Sequence, residues 1–103
     1  MVLAEFSMFP TDKGESVSSY VSQILDIIDK SGITYQLTPM GTILEGNWHE
    51  VIGVITECFQ VLESQSNRIT VFMKVDYRKS DQSRMKSKTE KLEKMLNRKL
   101  KTS

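Results

Sequence analysis

Residues 35–46 read Tyr35-Gln36-Leu37-Thr38-Pro39-Met40-Gly41-Thr42-Ile43-Leu44-Glu45-Gly46, and they predict two short strands joined by a tight turn. Pro39 fixes its own φ and pushes the residue before it toward extended geometry. Gly41 can take the positive φ that a close turn often needs. Two threonine hydroxyls, one methionine and two backbone amides are therefore expected to converge on one small patch. An ordinary hairpin turn is the alternative interpretation of this stretch.

The outer strands and the helices follow from hydrophobic periodicity. Apolar residues that alternate with a period of two predict a strand at 2–9, ended by Pro10, and another at 69–77. Apolar residues three and four positions apart predict two amphipathic helices. The first begins near Val17 after Ser16 as N-cap and ends at Ser31-Gly32, and its core face includes Val21 and Ile24.

The second helix follows Asn47, which is its expected N-cap, and Glu50 stands at the capping-box spacing from it. A thinner apolar stripe predicts a last helix at about 83–100. The predicted order is therefore β-α-β-β-α-β with an appended helix, which is the ferredoxin-like α+β sandwich. Right-handed crossovers then place the first two helices on one face of a four-stranded antiparallel sheet.

One domain is expected, with a ferredoxin-like part at residues 1–78 and a basic C-terminal helix and tail at 79–103. The helix-free face of the sheet would mix polar and large apolar side chains, namely Leu3, Ser7, Phe9, Gln36, Thr38, Thr70, Phe72, Lys74 and Asp76. An apolar patch of this kind on a monomer usually marks an interface. We therefore expect sheet-to-sheet association, with the C-terminal stripe as a further contact.

The charge is divided unevenly along the chain. The formal net charge of the 103 residues is only +1, but residues 84–101 hold eight Lys or Arg against two Glu. The remaining residues therefore carry a net negative charge. A basic tail on an acidic body is typical of a nucleic-acid or membrane contact. It is equally typical of a solvated helix, since cations suit a helix C-terminus.

Few residues support catalysis or metal binding. The single cysteine, Cys58, excludes an intrachain disulfide and is expected to be a buried core thiol. The single histidine, His49, is expected on the surface of a first helical turn. Since neither a glycine-rich phosphate loop nor zinc-ligand spacing is present, no cofactor is expected. No segment approaches the roughly 20 apolar residues of a membrane span, and no signal peptide is seen, so a cytoplasmic protein is expected.

The polar side chains of the predicted sheet suit a small ligand better than a reaction. The acceptors and carboxylates near the middle strands are Glu5, Ser7, Thr38, Thr42, Glu45 and Asp76. This set favours a cationic heteroaromatic ligand that carries an amino group, with Phe9, Phe72 or Trp48 available to stack on it. The alternative is that Glu5 pairs with Lys74 across neighbouring strands and that the face is a polar-rimmed interface. Both can hold, because such pockets often form between subunits.

Three stretches of the chain resemble the small thiamine-binding protein family. They are Ala4-Glu5-Phe6-Ser7-Met8-Phe9-Pro10, Ser19-Tyr20-Val21 and residues 32–46 with their Leu37-Thr38-Pro39-Met40-Gly41-Thr42 core. The resemblance covers residues 2–78. It implies a ferredoxin-like fold, a homotetramer built as a dimer of dimers, and binding of thiamine (vitamin B1) or its hydroxymethylpyrimidine moiety without catalysis. At matching positions it implies a pyrimidine pocket lined by Ser7, Thr38, Gly41, Thr42 and Glu45, with Met40 as an apolar wall.

Two other functions stay open at this point. The first is a nucleic-acid-binding module that uses the basic C-terminal helix, since RNA recognition domains share this topology. Those domains stack bases on aromatic residues of the central strands, whereas the strand at 42–46 has none and carries Glu45, which would repel phosphate. The second is an enzyme with Glu5 or Glu45 as general base, which requires a perturbed carboxylate in a closed pocket.

Overall fold

The computed structural model describes residues 1–14, 17–80, 82–83, 85 and 87–101. Within these residues the elements are β1 (Val2–Pro10), α1 (Ser18–Ser31), β2 (Thr34–Thr38), β3 (Gly41–Gly46), α2 (Trp48–Glu63), β4 (Ile69–Tyr77) and α3 (Ser87–Leu96). The strands form one antiparallel sheet in the order β2-β3-β1-β4. The predicted ferredoxin-like α+β sandwich with an extra C-terminal helix is confirmed.

One residue marks the end of α1 and another marks the start of α2. Gly32 adopts the left-handed conformation, with φ of 79°, and ends α1 as predicted. The Asn47 side chain accepts a hydrogen bond of 2.8 Å from the backbone N–H of Glu50 and caps α2. Val17 occupies the N-cap position of α1, one residue later than expected. The predicted cap Ser16 lies outside the described residues.

The core lies between one face of the sheet and the helices α1 and α2. Its strand residues alternate along β1 and β3, and its helix residues recur at three and four positions. The buried apolar residues are Val2, Ala4, Phe6, Met8, Ile24, Ile28, Leu44, Val51, Val54, Ile55, Cys58 and Leu62. Cys58 is fully buried, as predicted. Burial of this apolar surface is the main favourable contribution to folding.

Strand β4 is less covered than its alternating pattern predicts. Val71, Met73 and Tyr77 pair with core residues of β1 and therefore share the helix-side face, yet they are largely exposed. The reason is the position of the helices, which pack on β1 and β3 and not on β4, a sheet edge. Period-two alternation shows which face a strand residue occupies but not whether another element covers it.

The C-terminal segment crosses the helix-free face of the sheet before α3 begins. The Ser83 hydroxyl donates to one oxygen of Glu45 at 2.5 Å, and the backbone N–H of Met85 donates to the other at 3.3 Å. Glu45 is only 5% exposed as a result. The last helix starts at Ser87, four residues later than expected, and makes at most marginal contact with the other elements.

None of the described helices is long and apolar enough to span a membrane. The protein measures 48 Å along its longest axis and 28 and 21 Å along the others.

Candidate functional site

A cavity of about 760 Å³ lies at the end of the sheet that carries the turn between β2 and β3. Its walls come from four parts of the chain. They are β1 (Glu5, Phe6, Ser7, Met8, Phe9), the first half of α1 with its cap (Val17, Val21, Ile24, Leu25), the hairpin (Leu37, Thr38, Pro39, Met40, Gly41, Thr42) and β4 (Phe72, Met73, Lys74). The size and the mostly apolar lining with a few polar groups are typical of small-molecule sites.

The cavity exists because β3 is shorter than β1. The pairing of β1 with β3 ends at Phe6 opposite Thr42, whereas its pairing with β4 continues to Pro10 opposite Ile69. The second half of β1 therefore has a sheet partner on one side only within the described chain. Because backbone groups of a strand point alternately to its two sides, residues 7–9 direct some of their N–H and C=O groups toward the cavity.

The hairpin turn is held by the side chain of Thr38. Its hydroxyl donates to the carbonyl oxygen of Gly41 at 2.7 Å and accepts from the N–H of Gly41 at 3.1 Å. Two-residue hairpins usually use turns with positive φ at the first central residue, which Pro39 cannot adopt. The hydroxyl of Thr38 thus stabilises a turn that the backbone alone would disfavour, and it fixes one rim of the cavity.

Gly41 is required for a reason that differs from the prediction. The expectation of a positive φ is wrong, since only Gly14 and Gly32 among the described glycines have one. A Cβ atom built on Gly41 would instead lie 2.9 Å from the carbonyl oxygen of Phe6, closer than real Cβ contacts allow. The start of β3 therefore approaches the backbone of β1 so closely that only glycine fits.

Five of the six predicted site residues line the cavity, namely Ser7, Thr38, Met40, Gly41 and Thr42. The two threonines lie on opposite faces of the sheet, because Thr38 pairs with Gly41 whereas Thr42 pairs with the core residue Phe6. Thr42 is 6% exposed and Met40 is 86% exposed. The sixth, Glu45, does not line the cavity and instead holds Ser83 and Met85.

The charged lining residues of the cavity are Glu5 and Lys74, which have opposite signs. They are direct cross-strand neighbours, and the Lys74 ammonium lies 3.8 Å from a Glu5 carboxylate oxygen. The alternative expectation of a Glu5–Lys74 pair is thus confirmed. Both side chains are well exposed, so the pair adds little stability, and a bound ligand with charge can compete for either partner at small cost.

An aromatic pair stands beside these charges on the helix-free face. The rings of Phe9 and Phe72 have centroids 6.4 Å apart and planes inclined by 28°. Phe72 is 63% exposed. A planar ligand at the cavity mouth could therefore stack on Phe72 without displacing any core residue.

The first half of α1 with its cap contributes four apolar side chains to the cavity wall, and the sequence predicts two of them, Val21 and Ile24, on the core face of the helix. Val17, Val21 and Leu25 are only partly buried and face the cavity, and Ile24 is the buried member of the group. Helical periodicity predicted this face correctly for Val21 and Ile24 but did not include Leu25. It could not separate cavity walls from core residues, because their exposure depends on where β3 ends relative to β1 in the assembled sheet.

The other reactive side chains lie elsewhere. His49 and Trp48 are exposed at the start of α2, and neither lines the cavity. Burial raises the pKa of the Cys58 thiol to about 11, with the nearby Glu57 carboxylate adding to the effect. Across the described ranges, no group of three or more His, Cys, Asp or Glu side chains is arranged to hold a metal ion.

Comparisons with known proteins identify the family of the chain. A family model described as thiamine-binding protein matches residues 4–93. The UPF0045 protein MJ1052 of Methanocaldococcus jannaschii is 31% identical over 87 residues, which are 84% of this chain and 87% of that protein. The UPF0045 protein MT1949 of Mycobacterium tuberculosis is 31% identical over 96 residues, 92% of this chain and 94% of that protein.

Two solved structures share the fold. The crystal structure of the M. jannaschii protein superposes with a TM-score of 0.80 at 30% identity and covers 88% of this chain and 94% of its own. A Thermotoga maritima protein, provisionally described as a thiamine biosynthesis/salvage protein, superposes with a TM-score of 0.75 at 20% identity and covers 88% and 97%. Because the family model spans most of the chain, from the first strand into the last helix, the chain belongs to the thiamine-binding protein family.

Proposed function

We propose that this chain binds thiamine or its hydroxymethylpyrimidine moiety, without catalysing a reaction, in the cavity at the end of β3. The observation that carries the proposal is the half-paired stretch of β1 at residues 7–9, which opens into a cavity with apolar and aromatic walls. The family description and the description of the T. maritima relative support the same class of ligand.

The chemistry of an aminopyrimidine fits this arrangement. Its ring presents an amino donor beside a ring-nitrogen acceptor, which is the pattern that a neighbouring strand would offer to the N–H and C=O groups of β1. Ser7 and Thr42 provide hydroxyls on opposite faces of the sheet, and Phe72 offers a ring face for stacking. The Glu5 carboxylate can attract the positive charge of a thiazolium at the open side of the cavity.

A second copy of the chain would close the cavity. The edge strand β4 supplies Phe72, Met73 and Lys74 to its wall, and Phe72 and Met73 are largely exposed. An exposed apolar edge strand is usually covered by a partner in native proteins. Pairing through this region would be one contact of the dimer of dimers that the family resemblance implies, and it would place the ligand near a subunit interface.

Isothermal titration calorimetry with thiamine, hydroxymethylpyrimidine and thiamine phosphate tests the proposal. We expect micromolar binding of at least one of these compounds to the full chain, and silence from all three would overturn it. Thr42→Val should weaken binding about tenfold, since it removes one hydrogen bond to the ligand or its surroundings. The matched control is Thr34→Val on the exposed part of β2, outside the cavity, which should bind as the unmodified chain does.

The role of Glu45 is tested separately. The resemblance assigns it to the pocket, whereas its carboxylate is bound by the C-terminal segment. Glu45→Gln keeps the shape of the side chain and removes its charge. A large loss of affinity would show that the ligand reaches Glu45 when it binds. Unchanged affinity, together with a loss in Thr42→Val, would confine the site to the cavity of 760 Å³.

A further inference from the structure

Helix α3 has an apolar stripe that its own chain does not cover. Leu92, Met95 and Leu96 recur at three and four positions and are 51%, 73% and 48% exposed. The helix makes at most marginal contact with the other described elements. Lys91 and Lys94 are exposed beside the stripe, as is Glu90, and the described residues that follow the helix add Arg98, Lys99 and Lys101. An amphipathic helix of this kind is stable mainly when its apolar side is packed.

A groove with the complementary character lies between α1 and α2. It has a volume of about 680 Å³ and is formed by the second half of α1 and the first half of α2. Its apolar residues, Ile27, Ile33 and Val54, are buried or half-buried.

The charged residues of the groove are three acidic residues and one lysine. Asp26, Glu50 and Glu57 supply carboxylates, and the one lysine of the lining, Lys30, is already bound to Asp26 at 2.9 Å. The groove therefore joins an apolar floor to a net negative rim. A basic amphipathic helix matches it in both respects.

Gly53 gives an independent reason to expect a close neighbour at this groove. It lies in the middle of α2, is exposed, and does not have a positive φ. A Cβ atom at this position would meet nothing within 4 Å. Glycine inside a helix costs about 1 kcal/mol relative to alanine, and no described residue of the chain approaches Gly53 closely enough to require it. Close approach of another backbone is one reason for a glycine at such a position.

We propose that α3 of one copy docks into the groove between α1 and α2 of a second copy. The Leu92, Met95 and Leu96 stripe would face Ile27 and Val54 near Gly53, with the lysines of α3 opposite the carboxylates of the rim. The second copy is the favoured occupant because Glu45 holds the C-terminal segment on the helix-free face of the sheet, opposite the groove. The charge asymmetry of the chain, with a basic stretch at 84–101 and an acidic remainder, makes two copies mutually complementary.

Site-directed disulfide formation between full-length chains tests the contact. One chain carries Gly53→Cys and the other, with a size tag, carries Met95→Cys. The native Cys58 is fully buried and its pKa is raised to about 11, so it should not compete. We expect a mixed disulfide of the two chains on a non-reducing gel. It should be at least tenfold more abundant than with a control in which Lys13→Cys takes the place of Gly53→Cys, since Lys13 is exposed in the loop before α1 and does not line the groove.

Equal cross-linking of the groove and control variants would overturn the proposal. A double variant, Gly53→Cys with Met95→Cys, distinguishes the source of the helix. If it forms only disulfides within one chain at low concentration, α3 docks on its own body and the second copy is excluded as the occupant. Disulfides between chains support the exchange.

Filling the groove gives a second measurement that needs no oxidation. Gly53→Leu places a side chain where the partner helix would lie, and its Cβ atom meets no described atom of its own chain within 4 Å. We expect association measured by light scattering to weaken at least tenfold, with far-ultraviolet circular dichroism unchanged. Unaltered association would overturn the proposal. Thiamine binding is measured on the same samples, so failure of this contact and failure of the proposed cavity are seen separately.

Discussion

Two glycines of this chain are kept for different physical reasons, and substitution by alanine should separate them. Gly41→Ala puts a Cβ atom 2.9 Å from the Phe6 carbonyl oxygen, so β3 must shift from β1. We expect a loss of about 1–3 kcal/mol in the free energy of unfolding, by analogy with overpacked positions. Gly53→Ala meets no described atom of its own chain and should gain about 0.5–1 kcal/mol from helix propensity at protein concentrations where the chain is monomeric. Urea unfolding of both variants measures the difference, and equal effects would contradict it.

The buried Cys58 thiol makes stability depend on alkaline pH. Burial raises its pKa from 9.0 to about 11 in the folded chain, so folding favours the protonated thiol. The contribution of the protonated thiol to the free energy of unfolding is fully present below pH 9 and is lost as the pH rises from 9 to 11. Its size over that whole range is about 3 kcal/mol.

Urea unfolding at pH 8 and pH 10.5 measures the effect. The control is Cys58→Val, which has no thiol to ionise and should show a smaller decrease over the same range. If both proteins lose stability equally, tyrosine and lysine ionisation and not Cys58 accounts for the decrease. Thiol reagents at pH 8 should also label native Cys58 far more slowly than the unfolded chain.

At the same scale, the sequence predicted which residues matter around the hairpin better than it predicted why. The patch at 38–42 does form one end of a cavity, but Thr38 and Thr42 lie on opposite faces. Period-two geometry implies this once the turn is known to have two residues. Thr38 then pairs with Gly41 and shares its face, and Thr42, the next residue, points to the other face. The close approach of Gly41 to Phe6 depends on tertiary structure, and no local pattern indicates it.

Among the elements, the cap of α2 is the clearest case in which local sequence determines a boundary. The Asn47 side chain accepts the Glu50 N–H at 2.8 Å, so Asn47→Ala should lower the free energy of unfolding by about 1 kcal/mol. Asn47→Asp keeps the acceptor and adds a favourable charge at the helix N-terminus, so it should be neutral or stabilising. Thermal or urea unfolding checks both. A loss in the aspartate variant equal to that in the alanine variant would argue against the cap.

The bounds of an element were predictable where its local sequence signal is strong and not where it is weak. Strand β4 has the predicted bounds, Ile69 to Tyr77, because its alternation is regular. Helix α3 begins at Ser87 and not near 83, because the segment before it is drawn into hydrogen bonds with Glu45. Those bonds join residues about forty positions apart, so helical periodicity could not indicate them.

For the whole molecule, the order of elements and the two faces of the sheet were predictable, whereas the cavity was not. Hydrophobic periodicity and right-handed crossovers are sufficient for the topology. The cavity depends on β3 ending opposite Phe6 while β1 continues to Pro10. Such a mismatch in pairing is a property of the assembled sheet, and it leaves backbone groups available to a ligand where a longer β3 would have used them.

The last prediction concerns whether one chain or two complete the site. Val71 is exposed on the edge strand β4 next to Phe72, but it does not line the cavity. If a second copy covers this edge, Val71→Lys places a charge in the interface. Association measured by light scattering should then weaken at least tenfold, since a buried unpaired charge costs several kcal/mol. Thiamine affinity measured by calorimetry should fall with it, because the partner would no longer close the cavity over Phe72 and Met73.

Thr34→Lys on the other edge strand, β2, is the matched control and should alter neither quantity. Loss of association with unchanged thiamine affinity would show that a single chain forms the complete site.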